Sequence, residues 1–263
     1  MENQLKMEIC ALASGSSGNC FYISNKNGAI LVDAGISARQ ICERLEIIGK
    51  NTESVKGIFV THEHSDHIKG IDVFARNFNV PIFATKKTIN NSFLCSDKRL
   101  VNAIKNNETI KFNGMEITAF PKSHEAVDPI GFSIYNNKKI SVITDAGRTC
   151  KNITENVADS DFLCLESNHD VPMLENGPYP WHLKKWIKSD TGHLSNMQAS
   201  LCVLEHGNKK LKHVMLSHLS QTNNTPDIAL DTFNTLIKER SDLKNKLGVS
   251  ISMREMPTKV FKI

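Results

Sequence analysis

The sequence predicts an α+β sandwich, with two sheets packed face to face and helices outside. Three observations carry that expectation. The middle of the chain reads as β-meander, with strands joined at short Asn/Gly turns. Helix and strand patterns alternate in each half. No internal repeat or low-complexity linker interrupts either half. With 263 residues the chain is long enough to bury a large core. We expect one domain over residues 1–263.

The elements follow in order. Residues 7–13 (MEICALA) read as a strand, and "SGSSGN" as the turn after it. Residues 20–24 and 29–33 (AILVD) are strands around an Asn27-Gly28 turn. "SARQICERLEIIG" is an amphipathic helix, with Ser37 and Gln40 as a capping box and Gly49 as its stop. Residues 56–60 form a short apolar strand that runs into "THEHSDHIKG". A helix near 68–78, a strand at 81–84 and a helix near 86–94 come next. "ETIKFNGMEITAF" pairs two strands across Asn113-Gly114, and "GFSIYNNKKISVITDAG" two more across Asn136-Asn137. The rest alternates: a strand at 161–166, helices near 180–188 and 195–206, a strand at 213–217, a helix at 226–240, and strands near 249–252 and 259–262.

Composition narrows the setting. Apolar residues make up 40% and charged residues 23%, an ordinary globular balance. No apolar run reaches the roughly 18 residues a bilayer span needs, so no membrane partner is expected. "MENQLKMEIC" has no long apolar stretch of the secretory kind. Seven cysteines are scattered singly without a CxxC, which reads as a reduced, cytoplasmic protein. A net charge of +4 permits a polyanionic partner without demanding one.

The chemistry concentrates in "THEHSDHIKG", where His62, Glu63, His64, Asp66 and His67 crowd together. His62 and His64 are two residues apart just after a strand. In extended chain they point the same way, so both can reach one metal. Asp66 and His67 follow where the chain must turn, and can reach a second metal. Neutral imidazole and carboxylate suit zinc, and also manganese or iron. Further ligands should arrive on other strand ends. His124, Asp145 and His218 each follow an apolar strand directly, and Asp33 ends "AILVD" in the same manner. His213 rivals His218, but it begins the strand that His218 ends.

HxHxDH followed by a single His, a single Asp and a final His, each after a strand, resembles the metallo-β-lactamase fold superfamily. The resemblance implies a four-layer αβ/βα sandwich with the site at one edge. It implies His62, His64 and His124 on one metal, Asp66, His67 and His218 on a second, Asp145 bridging, and Asp33 behind them fixing the histidine loop. Two ions roughly 3.5–4 Å apart can share an activated hydroxide and stabilise an in-line displacement, so a hydrolase is expected, with Asp66 counted among its catalytic residues.

Two other stretches speak to the substrate. In "SDTGHLSNMQAS", Ser195 and Gln198 form a capping box, and His193 lies in the loop before the helix. A histidine there could protonate an alkoxide leaving group, if a carboxylate keeps it charged beside two metals. Glu166, which ends "DFLCLE", is the natural partner. The pair resembles one in the phosphodiesterase branch of the superfamily, which includes the tRNA 3′-processing nucleases. "ASGSSGNC", "DAGIS", "VTHEHSDHIKG", "LESNHD", "GPYPWHLKKWI", "GHLSN" and "LSHLSQTNNTP" together resemble the YycJ/WalJ group of bacterial nucleases, collinearly from about residue 8 to about 230. That resemblance implies 5′→3′ exonuclease action on DNA, a role in DNA repair, and two divalent ions, zinc or manganese. One departure is that Trp186 follows Lys184-Lys185 where another basic residue is expected.

"SGSSGN" fits neither a Walker loop nor GxGxxG, so no nucleotide cofactor is expected. It reads either as a tight turn or as backbone that lets a phosphate come close. Ser16 and Asn19 within it, and Asn168 and His169 of "ESNHD", are candidate substrate contacts. Basic runs at 182–188, 208–213 and 238–246 would attract DNA if near the site, although such runs are usually solvated faces. Phe21, Tyr22, Tyr179, Trp181 and Trp186 could stack bases, packing being the more ordinary use. The rival readings are an RNA-processing nuclease, a thioester, lactone or lactam hydrolase, and a non-enzymatic metal-binding protein. "GHLSN" with Glu166 argues against the small-substrate hydrolase, and the complete ligand set against the non-enzyme.

Overall fold

A computed structural model describes residues 7–243 and 246–263. In chain order the elements are β1 (Glu8–Ala13), β2 (Cys20–Asn25), β3 (Gly28–Val32), α1 (Ala38–Ile47), β4 (Val55–Phe59), α2 (Ser65–Ile68), α3 (Ile71–Phe78), β5 (Ile82–Thr85), α4 (Lys86–Asn90), β6 (Val101–Ile104), β7 (Thr109–Phe112), β8 (Met115–Pro121) and β9 (Ile130–Asn136). Then come β10 (Lys138–Ile143), α5 (Lys151–Asp159), β11 (Phe162–Glu166), α6 (Val171–Asn176), α7 (Trp181–Ile187), α8 (Asn196–His206), β12 (His213–Ser217), α9 (Pro226–Ile237), β13 (Gly248–Ile251) and β14 (Phe261–Lys262).

The chain falls into two compact units. Within the described residues the first comprises 7–121, 126–138 and 253–263, and the second 122–125 and 139–252. In the first unit, strands run in the order β14-β1-β2-β3-β4-β5-β6. β1, β2 and β3 pair antiparallel through tight turns, whereas β3, β4, β5 and β6 pair in parallel. Parallel neighbours need crossovers, and α1, α3 and α4 lie in those connections. Leu12, Leu31, Ile41, Ile58, Phe74 and Ile82 belong to the core between sheet and helices. β7, β8 and β9 form an antiparallel ladder, turning at Asn113 and Gly114 as expected.

The second unit is built on parallel pairings of β10, β11, β12 and β13. Strands covered on both faces read as continuous apolar runs, and every residue of "FLCLE" in β11 is buried. α8 starts at the expected Ser195/Gln198 box, with both reciprocal hydrogen bonds present, and α1 starts at the Ser37/Gln40 box in the same way.

The chain departs from the sequence expectations at several boundaries. The helix expected near 68–78 is two pieces, α2 and α3, divided at Gly70. A Cβ there would lie 2.1 Å from the Ile36 carbonyl oxygen, so the close approach demands glycine. The helix expected to reach 94 stops at Asn90, and the one expected to reach 240 stops at Ile237. β6, α5 and α6 were not anticipated. Residues 1–6 of the N-terminal stretch, and Lys244 and Asn245 of the basic run at 238–246, lie outside the described residues. Among the described residues no helix is long and apolar enough to cross a membrane.

Candidate active site

In the first unit the histidine cluster begins where β4 ends. Residues 60–64 connect β4 to α2, and His64 caps α2 in extended conformation, with φ −62° and ψ 146°. His62 and His67 are fully buried, and His64 and Asp66 are half-buried. His62 Nε2 and His64 Nδ1 lie 3.1 Å apart, so the two-residue spacing does bring both imidazoles to one point.

Asp33 organises this cluster. Its Oδ1 accepts the Thr61 N–H at 2.8 Å, and its Oδ2 accepts the Thr61 hydroxyl at 2.8 Å and His67 Nδ1–H at 2.7 Å. An ionised carboxylate only accepts, so these bonds fix the proton positions. His67 must carry its proton on Nδ1, which leaves Nε2 as the ligating nitrogen. Thr61 Oγ1 donates to Asp33, so at 3.0 Å it accepts from His62 Nδ1, which leaves His62 Nε2 to ligate. Thr61 thus couples one carboxylate to two rings, a role that no sequence pattern announced.

Asn19 closes the cluster from the other side. Its amide reaches Asp66 Oδ2 at 3.3 Å and His67 Nε2 at 3.2 Å, and its backbone N–H donates to the Asp66 carbonyl at 2.7 Å. Expected as a substrate contact, it is fully buried and braces the ligand loop, while Ser16 is exposed in the same turn. Gly35 of "DAGIS" lies against that loop: a Cβ there would sit 1.6 Å from the Asp66 carbonyl oxygen. Glu63 points elsewhere, and its Oε1 accepts the Val127 N–H at 2.8 Å.

In the second unit His124, Asp145, Glu166, His193 and His218 come from five separate stretches. Asp145 Oδ1 lies 3.7 Å from His124 Nε2 and 3.5 Å from His218 Nε2. These separations are too long for strong hydrogen bonds, and they suit atoms that share an ion. His124 Nδ1 donates to the Gly192 carbonyl at 3.1 Å, which turns Nε2 toward Asp145. Burial pushes the His124 pKa down to about 3, with Asp145 opposing the shift, so the ring is neutral and able to ligate.

Glu166 is the organising carboxylate here, and it does more than the sequence indicated. Its Oε1 accepts from His193 Nδ1 at 2.8 Å, the expected pair, and also from His218 Nδ1 at 2.8 Å. Its Oε2 accepts the backbone N–H groups of Ala146 at 2.7 Å and Leu194 at 3.2 Å. Full burial works to raise its pKa. The charge of His193 and the hydrogen bonds from both rings outweigh burial and hold it near 2. Asp145, Glu166, His193 and His218 bring potential ligand atoms within 4.8 Å of one another. Both Glu166 oxygens are engaged by N–H donors, so Glu166 orients rings rather than binding an ion itself. The donor set of imidazole nitrogens and carboxylate, held from behind by carboxylate or carbonyl acceptors, fits divalent metal binding.

The backbone marks these positions. Seven non-glycine residues among those described have positive φ. Four are asparagines, and the other three are Asp33 (φ 60°), Asp145 (φ 52°) and His218 (φ 57°). Asp33 and His218 directly follow β3 and β12, and Asp145 lies two residues past the end of β10; each breaks the chain direction there, at a cost the surrounding bonds must offset. The buried Lys122 ammonium braces the Asp145 kink, donating to the carbonyls of Thr144 at 2.6 Å and Asp145 at 2.9 Å. Asn168 braces the His218 kink, with its amide on the His218 carbonyl at 3.0 Å and its N–H on the Leu194 carbonyl at 2.9 Å. It is 5% exposed, so like Asn19 it serves the site from behind. His169 is buried, with its Nδ1 unpartnered and its pKa pushed by burial to about 4. Its carbonyl accepts the Asn196 N–H at 2.9 Å, at the start of α8. His213 stacks on Phe162 at 4.9 Å and bonds Ser250 at 2.8 Å at the opposite end of β12 from His218. Trp186, standing where a basic residue was expected, packs edge-on to the His193 ring at 5.4 Å.

Comparisons with known proteins identify the family and the fold. The profile of the Beta-lactamase superfamily domain matches residues 29–218. The chain is 34% identical over 261 residues to Exodeoxyribonuclease YycJ of Bacillus anthracis, covering 97% of this chain and 98% of that protein. It is 35% identical over 262 residues to Exodeoxyribonuclease WalJ of Streptococcus pneumoniae serotype 2 strain D39, covering 97% and 96%. Among solved structures, the metallo-β-lactamase fold protein YhfI of Bacillus subtilis superposes with a TM-score of 0.73 at 14% identity, over 99% of this chain and 100% of that one. The expected fold class is borne out: this is a metallo-β-lactamase fold, an α+β sandwich of two mixed sheets flanked by helices. The chain belongs to the β-lactamase superfamily and, within it, to the group of the YycJ and WalJ proteins.

Proposed function

We propose that this protein is a dinuclear, metal-dependent 5′→3′ DNA exonuclease that works in DNA repair. Its family membership makes it a metal-dependent nuclease. The finer reading rests above all on the Glu166–His193 pair, 2.8 Å apart beside Asp145. A lactam or thioester hydrolase has no need of it, whereas a phosphodiesterase must protonate a poor alkoxide leaving group.

In this reading His62, His64 and His124 would hold one divalent ion and Asp66, His67 and His218 the other, with Asp145 available to both. Zinc or manganese at these positions would supply Lewis-acid activation of water and neutralise charge on the scissile phosphate. The chain's own residues do the rest. Glu166 is anionic at neutral pH and accepts from His193 Nδ1, which fixes the orientation of the ring. The other ring nitrogen, Nε2, then presents a proton to the departing oxygen. The same carboxylate oxygen bonds His218, so a single group sets both the proton donor and a ligand. The Trp186 ring packs on His193 and limits its swing.

We further propose that residues 1–263 act as one catalytic domain in the cytoplasm. All seven cysteines are free, which supports a reduced compartment. The test is to incubate the protein with end-labelled single- and double-stranded DNA and matching RNA, with zinc or manganese and with chelator. Ladder-wise loss from a DNA 5′ end, stopped by chelation, is the expected result. Preferential loss of RNA would move the reading to RNA processing. No cleavage of any polymer with either metal would end it.

A further inference from the structure

The helix α7 carries a surface feature that the metal chemistry does not use. Trp181, its first residue, is 74% exposed, although a tryptophan normally buries most of its large apolar surface. Lys185 lies one turn on, with its ammonium 5.2 Å from the Trp181 ring centroid. The two residues line a cavity of roughly 700 Å³ together with Lys184, Lys188, Ser189 and Glu175. Lys188 pairs with the Glu175 carboxylate at 2.8 Å, and the Lys184 ammonium donates to the Glu175 carbonyl at 2.8 Å. Lys185 faces the ring. Three ammonium groups therefore meet one carboxylate around an exposed indole face, and the lining carries excess positive charge.

The opposite side of α7 leads to the catalytic pair. Trp186 packs edge-on to the His193 ring, and the Ile187 carbonyl accepts the His193 N–H at 2.9 Å. One seven-residue helix thus presents an aromatic and basic outer face while its inner face fixes the proton donor.

We propose that the Trp181 cavity is a subsite for a single DNA strand, with a base stacked on the indole and the flanking phosphates on Lys185 and Lys184. Aromatic faces accept any base, and neighbouring cations track the backbone, which is the combination a sequence-tolerant exonuclease needs. The excess of lysines complements a polyanion and argues against an apolar or cationic occupant. Substitution of the basic residue expected at 186 by tryptophan does not weaken the helix as a phosphate-binding element, because that position faces His193.

This subsite rests on the nuclease reading, and the experiment separates the two. The probe is a 12-nucleotide oligothymidylate with phosphorothioate linkages, which resists cleavage, bound to the metal-loaded protein. Affinity and tryptophan quenching are both read. Trp181→Ala should weaken binding roughly 5- to 150-fold, the range for loss of one stacked base. Trp181→Phe should hold affinity within about threefold of wild type, because a ring remains to stack on, and should lose most of the quenching. Lys185→Ala should lower the slope of log affinity against log salt by about one. Wild-type affinity in Trp181→Ala, or undiminished quenching in Trp181→Phe, overturns the subsite. An unlabelled RNA 12-mer that displaces the probe while a DNA 12-mer does not also overturns it. If the subsite variants behave as expected and the wild type cleaves no polymer, the subsite stands and the nuclease reading falls. If the wild type degrades DNA and Trp181→Ala binds normally, the reverse holds.

Discussion

The two ligand clusters are each built around a buried carboxylate, and they use it differently. Asp33 receives a backbone N–H, a hydroxyl and one imidazole, all within the loop that supplies the ligands. Every bond it makes holds that loop still. Glu166 also receives backbone N–H groups, but its remaining oxygen is shared by two imidazoles from separate loops. One is the candidate ligand His218, and the other is His193, to which the mechanism gives a proton to move. The difference teaches that the first carboxylate braces one loop, whereas the second ties two loops together through a single oxygen atom, which in the proposed mechanism couples holding to proton transfer.

That contrast can be broken most forcefully at Glu166. Glu166→Gln should cut kcat on DNA by on the order of 10²–10⁴-fold, because His193 loses its charge partner. It should also weaken metal binding by about 10- to 100-fold, because His218 loses its orientation. Chelator competition and single-turnover kinetics on one preparation would read both losses. A loss in metal affinity alone would make Glu166 a second Asp33.

Asp33→Asn should show the simpler signature. Metal affinity should fall by about 10- to 100-fold, while kcat at saturating metal stays close to wild type. A kcat loss that persists at saturating metal would place Asp33 in the chemistry as well.

The third prediction concerns acid. The folded pKa of His124 is depressed to about 3 from the ordinary 6.5, chiefly by burial. A histidine depressed in this way is bound neutral, so its contribution is complete above 6.5 and is lost as pH falls from there toward 3. The metal-free protein should therefore lose stability with a slope of up to about 1.4 kcal/mol per pH unit below that point. Urea titrations across this range would read it, and His124→Gln should flatten the slope. An equal slope in the variant would assign the effect to another group.

The smallest effect is expected at the entry to α8. Ser195→Ala removes half of the capping box beside His193 and should cost about 1 kcal/mol of stability. Thermal melts would check it. A loss several times larger would mean that this cap carries the His193 loop more heavily than one hydrogen bond allows.

The same contrast explains what could be read from sequence. The first cluster lies between residues 62 and 67, directly after a strand, so spacing alone indicated that His62 and His64 converge. The second is assembled from 124, 145, 166, 193 and 218. The places of 124, 145, 166 and 218 at the ends of apolar strands, and of 193 before a capped helix, hinted at them individually, and their joint meaning came from resemblance. Thr61 and the Glu166–His218 bond were invisible because they depend on side-chain geometry across loops. Asn19 and Asn168 were read as substrate contacts because a polar side chain in a glycine-rich turn or a motif gives no sign of whether it faces outward. Among the elements, β6 with four residues and α6 with six are too short to establish a period. α5 did carry a signal, since its buried Ile153 and Val157 are four residues apart on one helical face.

The most direct test of the account asks whether His193 delivers the leaving-group proton. Wild type and His193→Ala would be compared on two phosphodiesters, an oligodeoxynucleotide whose leaving group is a poor alkoxide and thymidine 5′-p-nitrophenyl phosphate whose leaving group needs no proton. Metal content would be confirmed equal in both proteins. The account predicts a kcat loss of on the order of 10²–10⁴-fold on DNA, and little loss on the nitrophenyl ester. An equal loss on both substrates would contradict it and make His193 a residue that only shapes the site.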